Sequence, residues 1–252
     1  MSKLNPWLTN GRQSDQSIFE TASAAPGQTA AHLPGTRGVL EDGRVFHYAR
    51  NSGAAIVAGQ LLQTPDLSAQ NQDLAAGTEI LGSTTITVTL GSVAATAQDF
   101  AGGYVVTNSG TTAAGLTLPI ASHPAAAGTA SLVLTLDGPN PVLFNADTTV
   151  TLVKSPWADV IISGTNQDHL ACGVSPTPVV IGSTTAQYFW CQTWGLAGVW
   201  QDDTTANGSA LASGSTAGQV EIAGADGDQV VGLLMEAGIA ADYSPTLLTI
   251  AP

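Results

Sequence analysis

The chain has 252 residues, a net charge of -13 and only 10% charged side chains, against 44% hydrophobic ones. That is enough apolar material for a real core, with length for one large domain or two small β domains. The surface has to be covered by Thr, Ser, Gln, Asn and small apolar groups, which suits proteins that spend their lives assembled. Charge is also unevenly placed. The first fifty residues carry five bases (Lys3, Arg12, Arg37, Arg44, Arg50) and four acids, and the remainder carries fifteen acids against Lys154 alone. An acidic body of this kind is repelled by phosphate, which excludes nucleic acid as its partner, whereas the slightly basic N-terminal part suits an acidic partner surface.

Residues 1–38 lack strand or helix periodicity and are rich in Ser, Gln, Ala, Gly and Pro, with isolated large apolar residues at Trp7, Leu8, Ile18, Phe19 and Leu33. They read as an extended arm, and the spaced anchors predict that it docks, on an outside surface or on the body's own flank. No apolar h-region marks a secretory signal, and no run of eighteen apolar residues marks a membrane span. The expectation is a protein made in the cytoplasm that leaves it, if at all, by lysis.

The body reads as strands. Val39-Leu40 and Val45-Phe46 flank Glu41-Asp42-Gly43-Arg44, a hairpin signal because Asp-Gly supplies positive φ. Residues 84–90 alternate Ile86, Val88 and Leu90 with Thr85, Thr87 and Thr89, the period of a half-buried antiparallel strand. The same alternation recurs with Leu132, Leu134 and Leu136 in 131–136, and with Val150 and Leu152 in 148–153. Further strands are predicted at 104–107, 159–163, 178–181, 188–193, 219–222, 229–234 and 246–250. One helix is predicted, over 65–76, with Asp66 as N-cap and Leu67 and Leu74 a heptad apart. Strands this short and frequent imply an all-β fold of two sandwich or barrel-like modules, 39–155 and 156–252, divided at Lys154-Ser155-Pro156-Trp157, behind the arm 1–38.

Catalytic and cofactor templates return nothing: no G-x-S-x-G, phosphate-binding Gly loop, dinucleotide fingerprint or H-E-x-x-H. The expectation is a non-enzymatic protein with no cofactor and no metal. His32, His47, His123 and His169 lack ligand spacing and read as structural. Asp226-Gly227-Asp228 lacks the further oxygen ligands of a calcium loop and reads as a polar hairpin tip. Asp202-Asp203 reads as a turn rather than a carboxylate pair for glycoside chemistry. Asn207-Gly208-Ser209 matches a glycosylation acceptor only formally. Cys172 and Cys191 fit neither a disulfide framework nor a four-ligand site and are expected as buried thiols. The aromatic segment 188–195 with Trp200 places Tyr188, Trp190 and Gln192 on one strand face and Phe189, Cys191 and Thr193 on the other. A strand apolar on both faces belongs in a core or an interface, so Tyr188, Trp190, Trp194 and Trp200 are candidates for a core or oligomer cluster.

Leu33-Pro34-Gly35-Thr36-Arg37-Gly38, Asp42-Gly43-Arg44-Val45-Phe46-His47-Tyr48-Ala49, Gly102 to Asn108, His123-Pro124-Ala125, Tyr188 to Gly195 and Gly232 to Gly238 through Tyr243-Ser244-Pro245 resemble a family of tailed-bacteriophage structural proteins. The resemblance runs from residue 33 onward. It implies a virion component, a decoration or cement protein on the outside of the head, with no catalytic residues to carry over. Its partner would be the major capsid protein or another virion protein, with self-association into a homo-oligomer, a trimer among the options. Trp7, Arg12, Phe19, Leu33, Arg37 and Arg44 are the docking candidates. The rival reading is a carbohydrate-binding adhesin or fibre component that uses the aromatic segment, and a glycan hydrolase comes third.

Overall fold

The structure is a computed structural model and describes residues 17–23, 31–65, 68–165, 169–180, 186–224 and 228–252. It is all-β: among the described residues, seventeen strands stand against two single-turn 3-10 helices. In chain order the strands are β1 (Ala22–Ser23), β2 (Arg37–Val39), β3 (Val45–Arg50), β4 (Leu61–Gln63), β5 (Leu74–Ala75), β6 (Thr85–Thr89), β7 (Tyr104–Thr107), β8 (Thr117–Ser122) and β9 (Ser131–Leu136). They continue as β10 (Thr149–Val153), β11 (Ile161–Ile162), β12 (Ala171–Val174), β13 (Gln187–Trp200), β14 (Ala210–Ser213), β15 (Val220–Ile222), β16 (Gly232–Leu234) and β17 (Tyr243–Thr249).

Two compact units result, one of residues 66–155 and one formed jointly by 1–65 and 156–252. The smaller unit is inserted between β4 and β11, which pair antiparallel through Gln63↔Ile161 and Leu62↔Ile162, so its chain leaves and re-enters the larger sheet at adjacent strands. This corrects the expected division into 39–155 and 156–252. β3 pairs with β13 from Arg50↔Tyr188 to Val45↔Trp194, which ties 39–65 to the later half of the chain. Sequence proximity pointed the other way, because a long-range pairing leaves no local signal.

The inserted unit holds six strands in the order β5-β10-β7-β8-β9-β6. A bridge between Ala76 and Val88 joins the chain just past β5 to β6, so the ends of that order meet and the sheet closes on itself. Closure removes the exposed edges of an open sheet. Every inward position named by the period-two pattern is buried: Ile86, Val88, Leu90, Leu132, Leu134, Leu136, Val150 and Leu152 share one core with Phe100 and Phe144. β8 was not expected, because Pro119 interrupts it. The missing Pro119 donor falls on the β9 side, where the ladder bulges between Ile120 and Ser122, and Ile120 N–H still bonds Gly103 on the β7 side. The helix expected over 65–76 is absent from its described residues. Ser68 caps one 3-10 turn (Ala69–Asn71), and Leu74 pairs with Val150 as a strand residue.

The larger unit is built on β13, which pairs with β3, β1, β12 and β17. The two faces of its first half enter different clusters: Trp190 packs with Ile18, Leu40, Phe46 and Tyr48, and Phe189 and Cys191 pack with Ala49, Leu62 and Cys172. The hairpin from β2 to β3 forms as the Asp-Gly pair requires, with Gly43 at φ 87° and Val39 opposite Val45. At Gly173, φ is 144°, and an added Cβ would stand 2.4 Å from Cys191 Sγ and 2.6 Å from the Gln192 carbonyl oxygen, so only glycine fits. Cys172 and Cys191 are free and buried, and burial pushes the Cys191 thiol well up, with the neighbouring Cys172 adding to it. The described residues of the expected arm are not separate. Ile18 is fully buried in the larger unit, β1 pairs with β13, and β2 already begins at Arg37, so the described parts of 1–38 belong to that unit's core and sheet.

Candidate functional site

The docking candidates separate. Trp7 and Arg12 lie outside the described residues. Phe19 and Leu33 are 52% and 45% exposed, while Ile18, directly before Phe19, is core. Phe19 follows Ile18 in the first 3-10 turn (Ser17–Phe19), which sends consecutive side chains in different directions. Arg37 donates from Nε to the Pro252 carbonyl oxygen at 3.1 Å. Arg44 donates from Nε to Asp42 at 2.6 Å, and its guanidinium carbon lies 5.8 Å from the centre of the Phe46 ring. The Asp42 carboxyl sits below its usual range: slight burial works upward, and the bonds from Arg44 outweigh it.

Phe19 and Arg44 meet at a groove of about 230 Å³ alongside the second half of β13, walled also by Pro176, Leu196, Gly198 and Tyr243. The edge of β13 there is partly capped from within. Gln192 Nε2 donates to the carbonyl oxygens of Trp194 at 3.2 Å and Leu196 at 2.9 Å, and Trp200 N–H bonds the Gly59 oxygen at 3.0 Å. The groove therefore joins one apolar and one cationic side chain of the N-terminal segment to a floor of mixed character, with Leu196 and Pro176 beside Ser175 and Gln192.

The aromatic candidates fall into two sets. Trp190 and Tyr188 belong to the core, with the Tyr48 ring stacked 5.5 Å from Tyr188 and 5.1 Å from Trp190 edge-on. Burial pushes the Tyr48 phenol up to about 12. Trp194 is exposed, and Trp200 is half-buried with its ring stacked 6.2 Å from Tyr243. The change of role along one strand follows a bulge between Gln192 and Trp194, after which β13 leaves β3 and pairs with β17.

The surface that the sequence did not point to lies on that second half. Leu196 stands opposite Leu247, and Leu247 opposite Leu233, across β13, β17 and β16. These three are 50%, 38% and 44% exposed, although they occupy the outward face of a sheet whose inward face buries Val199, Leu248 and Leu234. Outward positions of such a sheet are ordinarily polar. Each leucine on its own looked like core; only the register aligns them. In the inserted unit, Ile80 and Leu81 are also exposed, on a turn closed by Ser83 N–H to the Ile80 oxygen. Two large apolar residues directly before Gly82-Ser83 were the available signal for it.

The remaining titratable groups hold structure. His47 is buried, stacks 3.9 Å from Trp157 and lies 3.1 Å from Thr193 Oγ1 through Nδ1. Burial, with Arg37 nearby, lowers it to about 4. His123 accepts from Phe100 N–H at 2.9 Å. Asp202 accepts from Ser215 Oγ at 2.8 Å and Thr216 N–H at 2.7 Å; burial works upward on its carboxyl, these bonds outweigh it, and they tie the segment after β13 to the connection between β14 and β15. Arg50 and Asp159 form a half-buried ion pair, with Nε to Oδ1 at 2.8 Å. Of the 226–228 tip only Asp228 is described, and it accepts from Gly224 N–H at 3.0 Å. Among the described residues, no three His, Cys, Asp or Glu side chains converge on a point that could hold a metal ion. Comparison with protein-family models, with curated proteins and with solved structures finds no match to this chain.

Proposed function

We propose that this chain is a non-enzymatic structural protein of a tailed-phage virion, made in the host cytoplasm and carried on the outside of the head as a decoration or cement protein. The observation that carries the reading is the groove beside β13, where Phe19 and Arg44 of the N-terminal segment join Leu196 and Tyr243. An exposed apolar anchor beside a cation fits a capsid surface that is acidic and has apolar hollows. The affinity would come mainly from the anchors, since an exposed ion pair contributes only about 0–1 kcal/mol. The acidic remainder of the chain would be repelled by the same surface and kept facing outward. The partner in this reading is the major capsid protein or another virion protein on an assembled lattice.

The test is cosedimentation of the purified chain with assembled shells and with unassembled coat subunits. Shells should retain it and free subunits should not, and Phe19→Ala with Arg44→Ala should weaken retention by about tenfold or more. Equal binding of the double variant would move docking away from this groove. The carbohydrate-binding alternative draws on the exposed Trp194 and on Tyr243, whose ring stacks with Trp200. It requires the isolated protein to bind host glycans and to lose that binding in Tyr243→Ala.

A further inference from the structure

The ladder formed by β13, β17 and β16 is free of charge on a chain that has a net charge of -13. No Asp, Glu, Lys or Arg occurs in 194–200, 232–235 or 243–249. Its outward row is Leu196, Leu247 and Leu233, extended by Trp194, Pro245 opposite Gly198, and Tyr243 opposite Trp200. Charges collect at the two ends. Near Trp194, the Arg44 side chain lies against Gly195, with Asp42 bonded to it, and Arg37 reaches Pro252. At the other end, Asp242 precedes Tyr243, and Asp202 and Asp203 follow Trp200 within three residues.

We propose that this neutral ladder is the docking face for a second copy of this chain, the two ladders meeting face to face with their strand directions reversed. The proposal rests on the reading of the protein as an assembly component; Leu196 and Tyr243 also line the groove assigned to the shell, so a given copy uses this face for one contact at a time. Two copies each carrying -13 repel one another, and that repulsion is least where the contact itself holds no carboxylate. Reversed strands set the three-aspartate end of each copy over Arg37 and the Arg44–Asp42 ion pair of the other, whereas strands running the same way would stack aspartates on aspartates. The exposed parts of the row amount to on the order of 500 Å² per copy, or roughly 1,000 Å² for the pair, which reaches the lower bound of a specific interface. The association is therefore weak in free solution and concentration-dependent.

Sedimentation equilibrium of the full chain, from low to several hundred micromolar, should give a reversible monomer–dimer equilibrium. Leu247→Asp should raise its dissociation constant at least about tenfold, because the contact would bury a carboxylate with no partner. Val133→Asp, on an exposed position of the inserted unit, should leave it unchanged. A second measurement avoids dependence on the folding of Leu247→Asp. Leu247→Cys should be captured as a dimer by a short bis-maleimide, and Val133→Cys should not, while the native cysteines stay buried. A wild-type chain that stays monomeric across the range, or Leu247→Cys that crosslinks no better than Val133→Cys, overturns the proposal. Shell cosedimentation of the same variants separates the two ideas. A chain that binds shells but never pairs loses only this inference. A chain that pairs through Leu247 but ignores shells loses the capsid reading and keeps the interface.

Discussion

Ile18→Ala tests whether the N-terminal segment is part of the larger unit or an arm that merely lies against it. Ile18 has no exposed surface and packs with Leu40, Phe46, Tyr48 and Trp190. Alanine removes three carbons from that contact. At about 0.8 kcal/mol per buried methylene-sized group the transfer loss is roughly 2.4 kcal/mol, and a cavity that cannot fully collapse among stiff aromatic rings raises it to about 3–4 kcal/mol. All five tryptophans (Trp7, Trp157, Trp190, Trp194 and Trp200) lie in 1–65 and 156–252, so tryptophan emission during urea unfolding reports on that unit and not on the inserted one. The expected result is a lower midpoint at unchanged slope, with the part of the far-UV circular dichroism transition that tryptophan emission does not follow left where it was. A shift below about 0.5 kcal/mol would refute the reasoning, since a surface contact costs no more than that. Residues 17–23 would then be a separable arm. By the same logic, removing 1–38 strips β1, Ile18 and part of β2 from the unit and should destabilise it severely.

Gly173→Ala should destabilise the larger unit by about 3 kcal/mol or more, because a Cβ there meets both a sulfur and a carbonyl oxygen at positive φ, whereas Gly43→Ala, at positive φ with nothing within 4 Å, should cost only about 1 kcal/mol. Urea unfolding of the two variants compares them, and equal losses would contradict the close approach at Gly173. His47 should make stability depend on pH. In the unfolded chain it takes a proton near 6.5, and in the folded chain only near 4, so the unfolded state binds more protons between those values. Stability should fall as pH drops through that window, by about 3 kcal/mol in total, and level off below it. Unfolding of His47→Gln across the same pH range isolates this part, and a wild-type slope no steeper than the variant's would count against it.

The inserted unit was largely legible because its strands follow a local rule. Thr–Ile–Thr–Val–Thr–Leu alternation puts three apolar side chains on one face whatever the partner strand, and the buried set of Ile86, Val88 and Leu90 follows directly. β8 and β14 escaped for the reverse reason. Pro119 removes a donor that the bulge beside it makes unnecessary, and Ala210-Leu211-Ala212-Ser213 offers small side chains that show no period although three of the four positions are buried. The division of the chain escaped because it rests on Phe46↔Gln192 and its neighbours, more than a hundred residues apart, and no window of sequence contains that pairing.

The proposed interaction surface divides in the same way. A large apolar residue in a polar segment is visible in sequence, so Phe19 and Leu33 could be named, but Ile18 in the same run is core and Phe19 is not. The 3-10 turn that carries them has no alternation from which to read that difference. Leu196, Leu247 and Leu233 are harder still. Leu247 and Leu233 each adjoin a leucine that their strand buries, Leu248 and Leu234, and Leu196 stands alone in β13 between Gly195 and Ala197. Only the cross-strand register shows that one leucine of each adjacent pair is surplus to the core. An aligned apolar row on the outward face of a sheet, in addition to the buried one, is the kind of patch that marks an interaction surface. The absence of charge from three separate stretches of sequence, on a chain this acidic, is what makes another copy of the same molecule the fitting cover.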